Sequence, residues 1–287
     1  MNETVAVRPE ETDLRVMQSN VKDDGLNNDP IRADLLFRTY IAYAPDVITF
    51  NELNPRDSKA EGNIPLRLKQ LLEPYYTILD GAEYLPIFSE PEKPDFRVAQ
   101  RKFGFPVAYR KNAGLTLIDS AFSYHTRMEY FHGTAWAVLE KNGFRFLVAA
   151  NHLAENVTVD ENGVKTTSTV WVEQVMQVLR AAKDRHGELP MILNGDWYFA
   201  RNLRADVYQY MLAQGLNDTS QSALVKCSEG IGTFHNLGEA QTNWAHEDII
   251  FASTGAFRAL RHEVVVNDDT IRGSDHYPVV ADLQFIR

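Results

Sequence analysis

The sequence predicts an α/β protein in which sheets pack together with helices outside. Short apolar, β-branched runs recur along the chain, and helical periodicity falls between two pairs of them. The middle, roughly residues 96–150, reads instead as consecutive strands joined by turns such as Lys141-Asn142-Gly143. Strand-helix-strand units beside strand-strand units are the mark of mixed sheets.

In chain order, Leu14-Arg15-Val16-Met17 opens the strands. Ile31 to Tyr43 follows the loop Asn27-Asn28-Asp29-Pro30 and places Leu35, Leu36, Thr39 and Tyr40 at helical spacing. Asp46 to Phe50 is the next strand, so Asp13 to Phe50 is one crossover unit. Pro65 to Leu72 is a short helix. Pro106 to Tyr109, Thr134 to Leu139 and Phe144 to Ala150 are strands. Val170 to Lys183 is a helix with Val172, Val175, Met176 and Leu179 on one face, and Leu189 to Leu193 returns as a strand, giving a second crossover. Ala205 to Leu212 is a short helix; Ile249 to Phe251 and Val279 to Phe285 are the last strands. No linker divides the chain. Glu83 to Arg101, with three prolines, reads as a surface excursion. We expect a tail over residues 1–13 and a single domain over 14–287.

Bulk properties narrow the function. The chain has 287 residues, 44% hydrophobic and 24% charged, which is ordinary soluble composition. No run approaches the roughly 18 apolar residues of a membrane span, so no stable membrane insertion is expected. The polar, acidic start carries no secretory pattern; a cytoplasmic protein and a secreted one whose signal has been removed are both consistent with it. A single cysteine, Cys227, rules out an intrachain disulfide and a cysteine-based zinc site, and it stands in a polar, loop-like stretch. The net charge of -10 disfavours grip on nucleic acid and suits a carboxylate-rich site for divalent cations.

Polar residues recur where strands end. Asn20, Glu52, His152 and Asp196 follow apolar runs; Asp248 precedes one; Asp275 and His276 precede the last. Singly, each has a bland reading, such as a turn closed by Pro278. Jointly they sit where α/β folds gather ligand sites. Mg2+ takes oxygen ligands from one or two carboxylates, and Glu52 and Asp275 suit it. Asp196 can orient and deprotonate a water. His276 held by Asp248 can bind a phosphate oxygen or move a proton, and His152 adds a second donor.

Five ordered blocks then resemble the endonuclease/exonuclease/phosphatase family over almost the whole chain. They are Asp46 to Glu52, Phe146 to Leu153, Met191 to Asp196, Gly232-Thr233-Phe234-His235 with Glu247 to Ser253, and Ser274-Asp275-His276, after the opening Leu14 to Asn20. The resemblance implies a four-layer α/β/β/α sandwich and in-line attack of water on phosphorus with no covalent intermediate. It implies Glu52 and Asp275 as metal ligands, with Mg2+ as cofactor and Mn2+ or Ca2+ as alternatives. Asn20 would bind the metal or the group that holds it. His152 would donate to phosphate, Asp196 would orient water, and Asp248 would pair with His276. Two departures stand out. Tyr198 replaces the asparagine usual two places after Gly195-Asp196, leaving a phenol as the donor. The acid that usually supports the first histidine is missing near Phe103. Glu247 also stands where an apolar residue is usual.

The expected function is a Mg2+-dependent phosphohydrolase on a phosphate mono- or diester. A small-molecule substrate is favoured over nucleic acid because Lys and Arg do not cluster; Arg56, Arg97, Arg101, Lys102 and Arg110 are the nearest cations. A Mg2+-dependent nuclease and a catalytically weakened binding protein are the alternatives. A lipid substrate would need an exposed apolar hairpin, and the Tyr124 to Phe131 stretch leads instead into a core strand at Trp136. Trp171, Trp197 and Trp244 are read as packing residues first. Substrate identity, metal count and oligomeric state are left open.

Overall fold

The structure is a computed structural model describing residues 7–22, 31–53, 64–79, 85–86, 106–124, 133–152, 157–159, 165–167, 170–197, 205–236 and 246–287. Tyr198, Phe103, Trp244, Arg56, Arg97, Arg101, Lys102, Tyr130 and Phe131 lie outside the described residues, as does most of the Glu83–Arg101 excursion.

The first half of the chain runs β1 (Leu14–Asn20), α1 (Ile31–Tyr43), β2 (Val47–Asn51), α2 (Ile64–Leu72), β3 (Tyr76–Leu79), β4 (Leu85–Pro86), β5 (Val107–Arg110), β6 (Leu115–Tyr124) and β7 (Gly133–Lys141). It continues through β8 (Phe144–His152), β9 (Val157–Val159), β10 (Lys165–Thr167), α3 (Val170–His186), β11 (Met191–Asp196), α4 (Ala205–Ala213) and β12 (Leu216–Asp218). The last part holds α5 (Thr219–Ser222), β13 (Val225–Cys227), β14 (Asp248–Ser253), β15 (Phe257–Val264), α6 (Asp268–Gly273) and β16 (Val279–Phe285).

Two seven-stranded sheets form, in the orders β13-β15-β16-β1-β2-β5-β3 and β12-β14-β11-β8-β7-β6-β4. Both predicted crossovers are present: β1 and β2 pair in parallel around α1, and β8 and β11 around α3. The remaining neighbours of these strands are antiparallel, so both sheets are mixed.

The two-residue period of a strand sends alternate side chains to opposite faces. In β1, Leu14 and Val16 enter a core shared with Val148, Ile192 and Ile250 of the other sheet, whereas Met17 packs beneath α1 and α2 with Leu36, Tyr40 and Leu68. In the second sheet, Leu147, Leu193 and Phe251 face outward against Val172, Val175 and Leu179 of α3. The order is therefore helices, sheet, sheet, helices. A strand buried on both faces reads as a nearly continuous apolar run, which is why β1, β2, β8 and β11 were visible in the sequence.

Elements that break the pattern were not. In β15 arginines interleave with apolar residues, and a bulge between Ala259 and Arg261 resets the alternation. β3 follows α2 after a three-residue turn, and α6 is a six-residue helix opened by the Asn267–Thr270 capping box, too short to show a period. Cys227 stands not in a loop but in β13, which pairs in parallel with β15 at the sheet edge. Arg110 closes β5 at the opposite end of its sheet from Asn51, with Nη1 3.4 Å from the Ala44 carbonyl, so it does not line the site. Trp197 is core: its Nε1 donates to the Ile249 carbonyl (3.1 Å) and its ring meets Phe251 edge-on. No helix of the described residues is long and apolar enough to cross a membrane.

One buried ion pair ties the chain's first strand to its last. Arg15 on β1 donates from Nε to Asp282 Oδ1 (2.6 Å) and from Nη2 to Oδ2 (2.8 Å), and from Nη1 to the Tyr43 carbonyl (2.9 Å). Both partners are almost fully buried. Removing one would leave an uncompensated buried charge. Asp282→Ala is expected to cost about 3–5 kcal/mol in urea unfolding, and a loss under about 1 kcal/mol would show that the pair is not desolvated as described.

Candidate active site

The inward faces of the central strands change character along their length. β2 runs Val47, Thr49, Asn51; β8 runs Phe146, Val148, Ala150, His152; β11 runs Ile192, Asn194, Asp196; β14 runs, in reverse, Ala252, Ile250, Asp248. At one end of the sandwich these positions are apolar. At the other they are Gln18, Asn20, Asn51, His152, Asp196 and Asp248. The strand period therefore delivers six polar side chains to one end of the seam between the sheets.

Amides knit that end together. Asn194 Nδ2 donates to Thr49 Oγ1 (3.0 Å), and Thr49 Oγ1 donates to Gln18 Oε1 (2.7 Å). Gln18 Nε2 in turn donates to Asn51 Oδ1 and, more weakly, to Asp248 Oδ1 at 3.4 Å. Asn51 Nδ2 reaches the Asn151 carbonyl (2.9 Å), while its Oδ1 accepts from the Asp196 backbone N–H (3.0 Å). Asn151 donates to the Asn194 carbonyl (3.1 Å) and accepts from Thr134 Oγ1 (2.9 Å). Gly195 is required by this packing: a Cβ there would fall 2.2 Å from the Asn151 carbonyl oxygen.

Above that scaffold the expected residues converge. Asn20 Nδ2 donates to Glu52 Oε1 (2.9 Å) and Asp196 Oδ2 (3.0 Å). His152 Nε2 lies 3.8 Å from Glu52 Oε1 and 3.9 Å from Asp196 Oδ2. His276 Nδ1 bonds Asp248 Oδ2 at 2.8 Å, which turns Nε2 toward Asp196 Oδ2 (3.9 Å) and Asp275 Oδ1 (4.0 Å). Glu52 takes a left-handed backbone, φ 57°, directly after β2, and so bends its side chain into the cluster. The structure thus brings together Asn20, Glu52, His152, Asp196, Asp248, Asp275 and His276. Tyr198 lies outside the described residues.

Several contributors were given no role by the sequence reading, although Thr233 and Ser274 stand within its motif blocks. Thr233 Oγ1 accepts from the backbone N–H groups of Glu247 (2.9 Å) and Asp248 (3.0 Å), fixing the start of β14. Ser274 Oγ donates to the Asn20 carbonyl (2.7 Å), tying the terminal Ser-Asp-His turn to β1. Lys22 Nζ pairs with Asp275 Oδ2 at 2.6 Å. The signal for Gln18 and Asn51 was present: they share the inward parity of Asn20 and Val47. Lys22 gave none, because its ammonium reaches Asp275 across 253 residues of sequence.

Burial pushes the Asp196 carboxyl well above the usual carboxylate range; His276 draws it down, while Asp248, Glu247 and Glu52 push it further up. Burial also raises Glu52, against the pull of the Asn20 hydrogen bond. For His276, burial opposes the charged ring, but Asp248, Asp196 and Asp275 outweigh it and hold the imidazolium well above its usual range. His235, stacked on Tyr277 with ring centroids 4.0 Å apart, is pulled down to about 4 by burial.

The residues fit a divalent cation. Glu52, Asp196, Glu247, Asp248 and Asp275 place five carboxylates against Lys22 and the His276 imidazolium, so negative charge is in excess. Ligand atoms of Glu52, His152 and Asp196 lie within 4.8 Å of one another, as do those of Asp196, Glu247 and His276. A bound cation reverses the upward push on such carboxyls, because it stabilises their charged form.

No family model and no curated protein sequence matches the chain. Solved structures do. An endonuclease/exonuclease/phosphatase from Bacteroides vulgatus superposes with a TM-score of 0.70 at 19% identity, over 95% of this chain and 98% of that one. A mannosyl-6-phosphatase from Bacteroides thetaiotaomicron gives 0.67 at 18% identity, over 95% and 100%. D. rerio TDP2, in complex with a single-strand DNA product, gives 0.67 at 16% identity, over 94% and 98%. The chain has the fold of these endonuclease/exonuclease/phosphatase proteins.

Two outcomes test the electrostatics. Asp248→Asn is expected to lower the His276 pKa, read from the imidazole protons by NMR; an unchanged value would remove Asp248 as its source. His235 titrates near 6.5 when unfolded and about 4 when folded. The unfolded chain then binds the extra proton between those values, so His235's contribution is full above pH 6.5 and lost as pH falls toward 4. Urea midpoints across that window should drop less steeply for His235→Phe than for wild type, and parallel curves would exclude His235 as the titrating group.

Proposed function

We propose that this chain is a metal-dependent phosphohydrolase that cleaves a phosphate mono- or diester by in-line attack of water. The observation that carries the reading is the convergence of His152 and the Asp248-held His276 on the Asp196 carboxylate, beside Glu52 and Asn20. The separations of 3.8 to 4.0 Å are too long for direct hydrogen bonds and short enough for one bound atom to touch several of these groups at once.

Glu52 would hold the divalent ion, Mg2+ in preference, with Mn2+ or Ca2+ as alternatives. Such an ion, when bound, supplies charge neutralisation at the phosphate oxygens. Asp196 orients the attacking water and takes its proton. The Asn20 amide, donating to Asp196 Oδ2, fixes the carboxylate plane with that oxygen turned toward both histidines. His276 presents Nε2–H to a non-bridging phosphate oxygen, and Asp248 holds the ring charged and correctly turned. His152, with Nε2 beside Glu52 and Asp196, is the second donor to the phosphate. Tyr198 is proposed as a further phosphate donor in place of the missing amide.

The acidic balance of -10 supports a small phosphate ester over nucleic acid, and the likeness to a mannosyl-6-phosphatase is in keeping with that. The likeness to TDP2 with a DNA product supports the second reading, a nuclease. Phosphate release from sugar phosphates and generic mono- and diesters, with Mg2+, Mn2+ or Ca2+, separates them. Turnover is expected to fall at least about a hundredfold in Asp196→Ala. Plasmid nicking at low salt, lost in the same variant, would reassign the substrate to nucleic acid; no turnover of any ester would sink the hydrolase reading.

A further inference from the structure

Lys22 stands where the sequence reading expected a metal. Asp275 was the second expected ligand, yet its Oδ2 receives the Lys22 ammonium at 2.6 Å. Among the described residues, the two groups of acids and histidines whose ligand atoms converge do not include Asp275.

The ammonium is held there by design of the backbone. Lys22 adopts φ 44°, a left-handed conformation that lysine seldom takes. Its N–H donates to Asn20 Oδ1 at 2.9 Å, the same amide that bridges Glu52 and Asp196. Its carbonyl accepts from buried Arg32 Nη2 (3.0 Å), which also binds the Val21 carbonyl (2.7 Å). Arg32 Nε reaches the Gly273 carbonyl (2.9 Å), so one guanidinium locks the Lys22 turn to the segment carrying Asp275. The Lys22 side chain is 21% exposed, enough to meet a ligand and too little to be a free surface lysine.

Resting on the phosphohydrolase reading, we propose that Lys22 is a built-in monovalent cation at Asp275, so the site takes a single divalent ion, on the Glu52 side, and Lys22 supplies the second positive charge to the substrate phosphate. An ammonium has three N–H donors, and Asp275 uses one. The Lys22 charge also acts on Glu52, whose carboxyl it draws down, so it belongs to the same cluster as His276, whose Nε2 lies 4.0 Å from the Asp275 carboxylate. Asp275 is then a positioning residue for Lys22. A lysine is a compact point charge that needs no coordination geometry, so it neutralises one phosphate oxygen without the octahedral shell of Mg2+.

Titration calorimetry of the full chain with Mn2+ and then inorganic phosphate tests this. Wild type is expected to bind one Mn2+. Glu52→Gln should lose it, and Asp275→Asn should keep it at close to wild-type affinity. Phosphate binding to the Mn2+-loaded protein should weaken about tenfold or more in Lys22→Met, the usual loss of a hydrogen bond to a charged group, and less in Lys22→Arg. Two Mn2+ ions in wild type, loss of Mn2+ in Asp275→Asn, or unchanged phosphate affinity in Lys22→Met would each overturn the Lys22 assignment alone. A wild-type chain that binds neither Mn2+ nor phosphate would overturn the phosphohydrolase reading and this inference with it.

Discussion

The buried amide and hydroxyl network across the seam is what the site depends on. Gln18, Thr49, Asn151 and Asn194 are fully buried, and Asn51 nearly so. Polar groups in such a place are costly unless paired, and a half-satisfied network is worse than an apolar one. Here the pairing runs between the sheets: Asn194 to Thr49, Asn51 to Asn151, and Asn51 to the Asp196 backbone. The apolar core can tolerate small slips, because dispersion contacts have no direction. Hydrogen bonds do have direction, so this layer fixes how one sheet sits on the other. Every side chain above it inherits that precision.

Much of this was legible in the sequence. β1, β2, β8, β11 and β16 announced themselves as apolar runs because they are covered on both faces, and α1 was bounded correctly by its periodicity. The end-of-strand acids and histidines were legible as a set because strand parity and sheet order carry them to one place. What the sequence could not show were contacts that depend on fold-level closure. Lys22 follows Asn20 by two residues, but only the return of the chain at Asp275 gives it a partner. β15 hid behind its arginines and its bulge, and Cys227 looked like loop because an edge strand needs apolar residues on one face at most.

The electrostatics explain why the cluster is not simply a collection of acids. Asp196 is caught between a histidine that favours its charge and three acids, Asp248, Glu247 and Glu52, that oppose it. His276 has the reverse environment and stays charged. Neighbouring groups pushed apart in this way are the usual arrangement of a site that moves protons. Glu247, unexpected at its position, adds to the negative excess beside Asp196 and His276.

The pairing of β1 with β16 has a consequence for how the molecule comes into being. Arg15 meets Asp282 across 267 residues, and Ser274 meets Asn20 across 254. During synthesis the first strand therefore emerges long before its antiparallel partner, with its inward and outward apolar faces uncovered on that side. Closing so long a loop is entropically slow, and such folds spend time with an open sheet edge. The second sheet's core, β6 to β8 with α3 and β11, is complete far earlier and can mature first. The candidate site would then be made in stages: His152 and Asp196 come together on the paired β8 and β11 before β14 arrives beside β11, while Asn20 and Glu52 stand on a sheet whose β16 is still missing. The Ser274-Asp275-His276 turn joins them later than any other part of the cluster, so the candidate site is complete only once that turn has packed against β1.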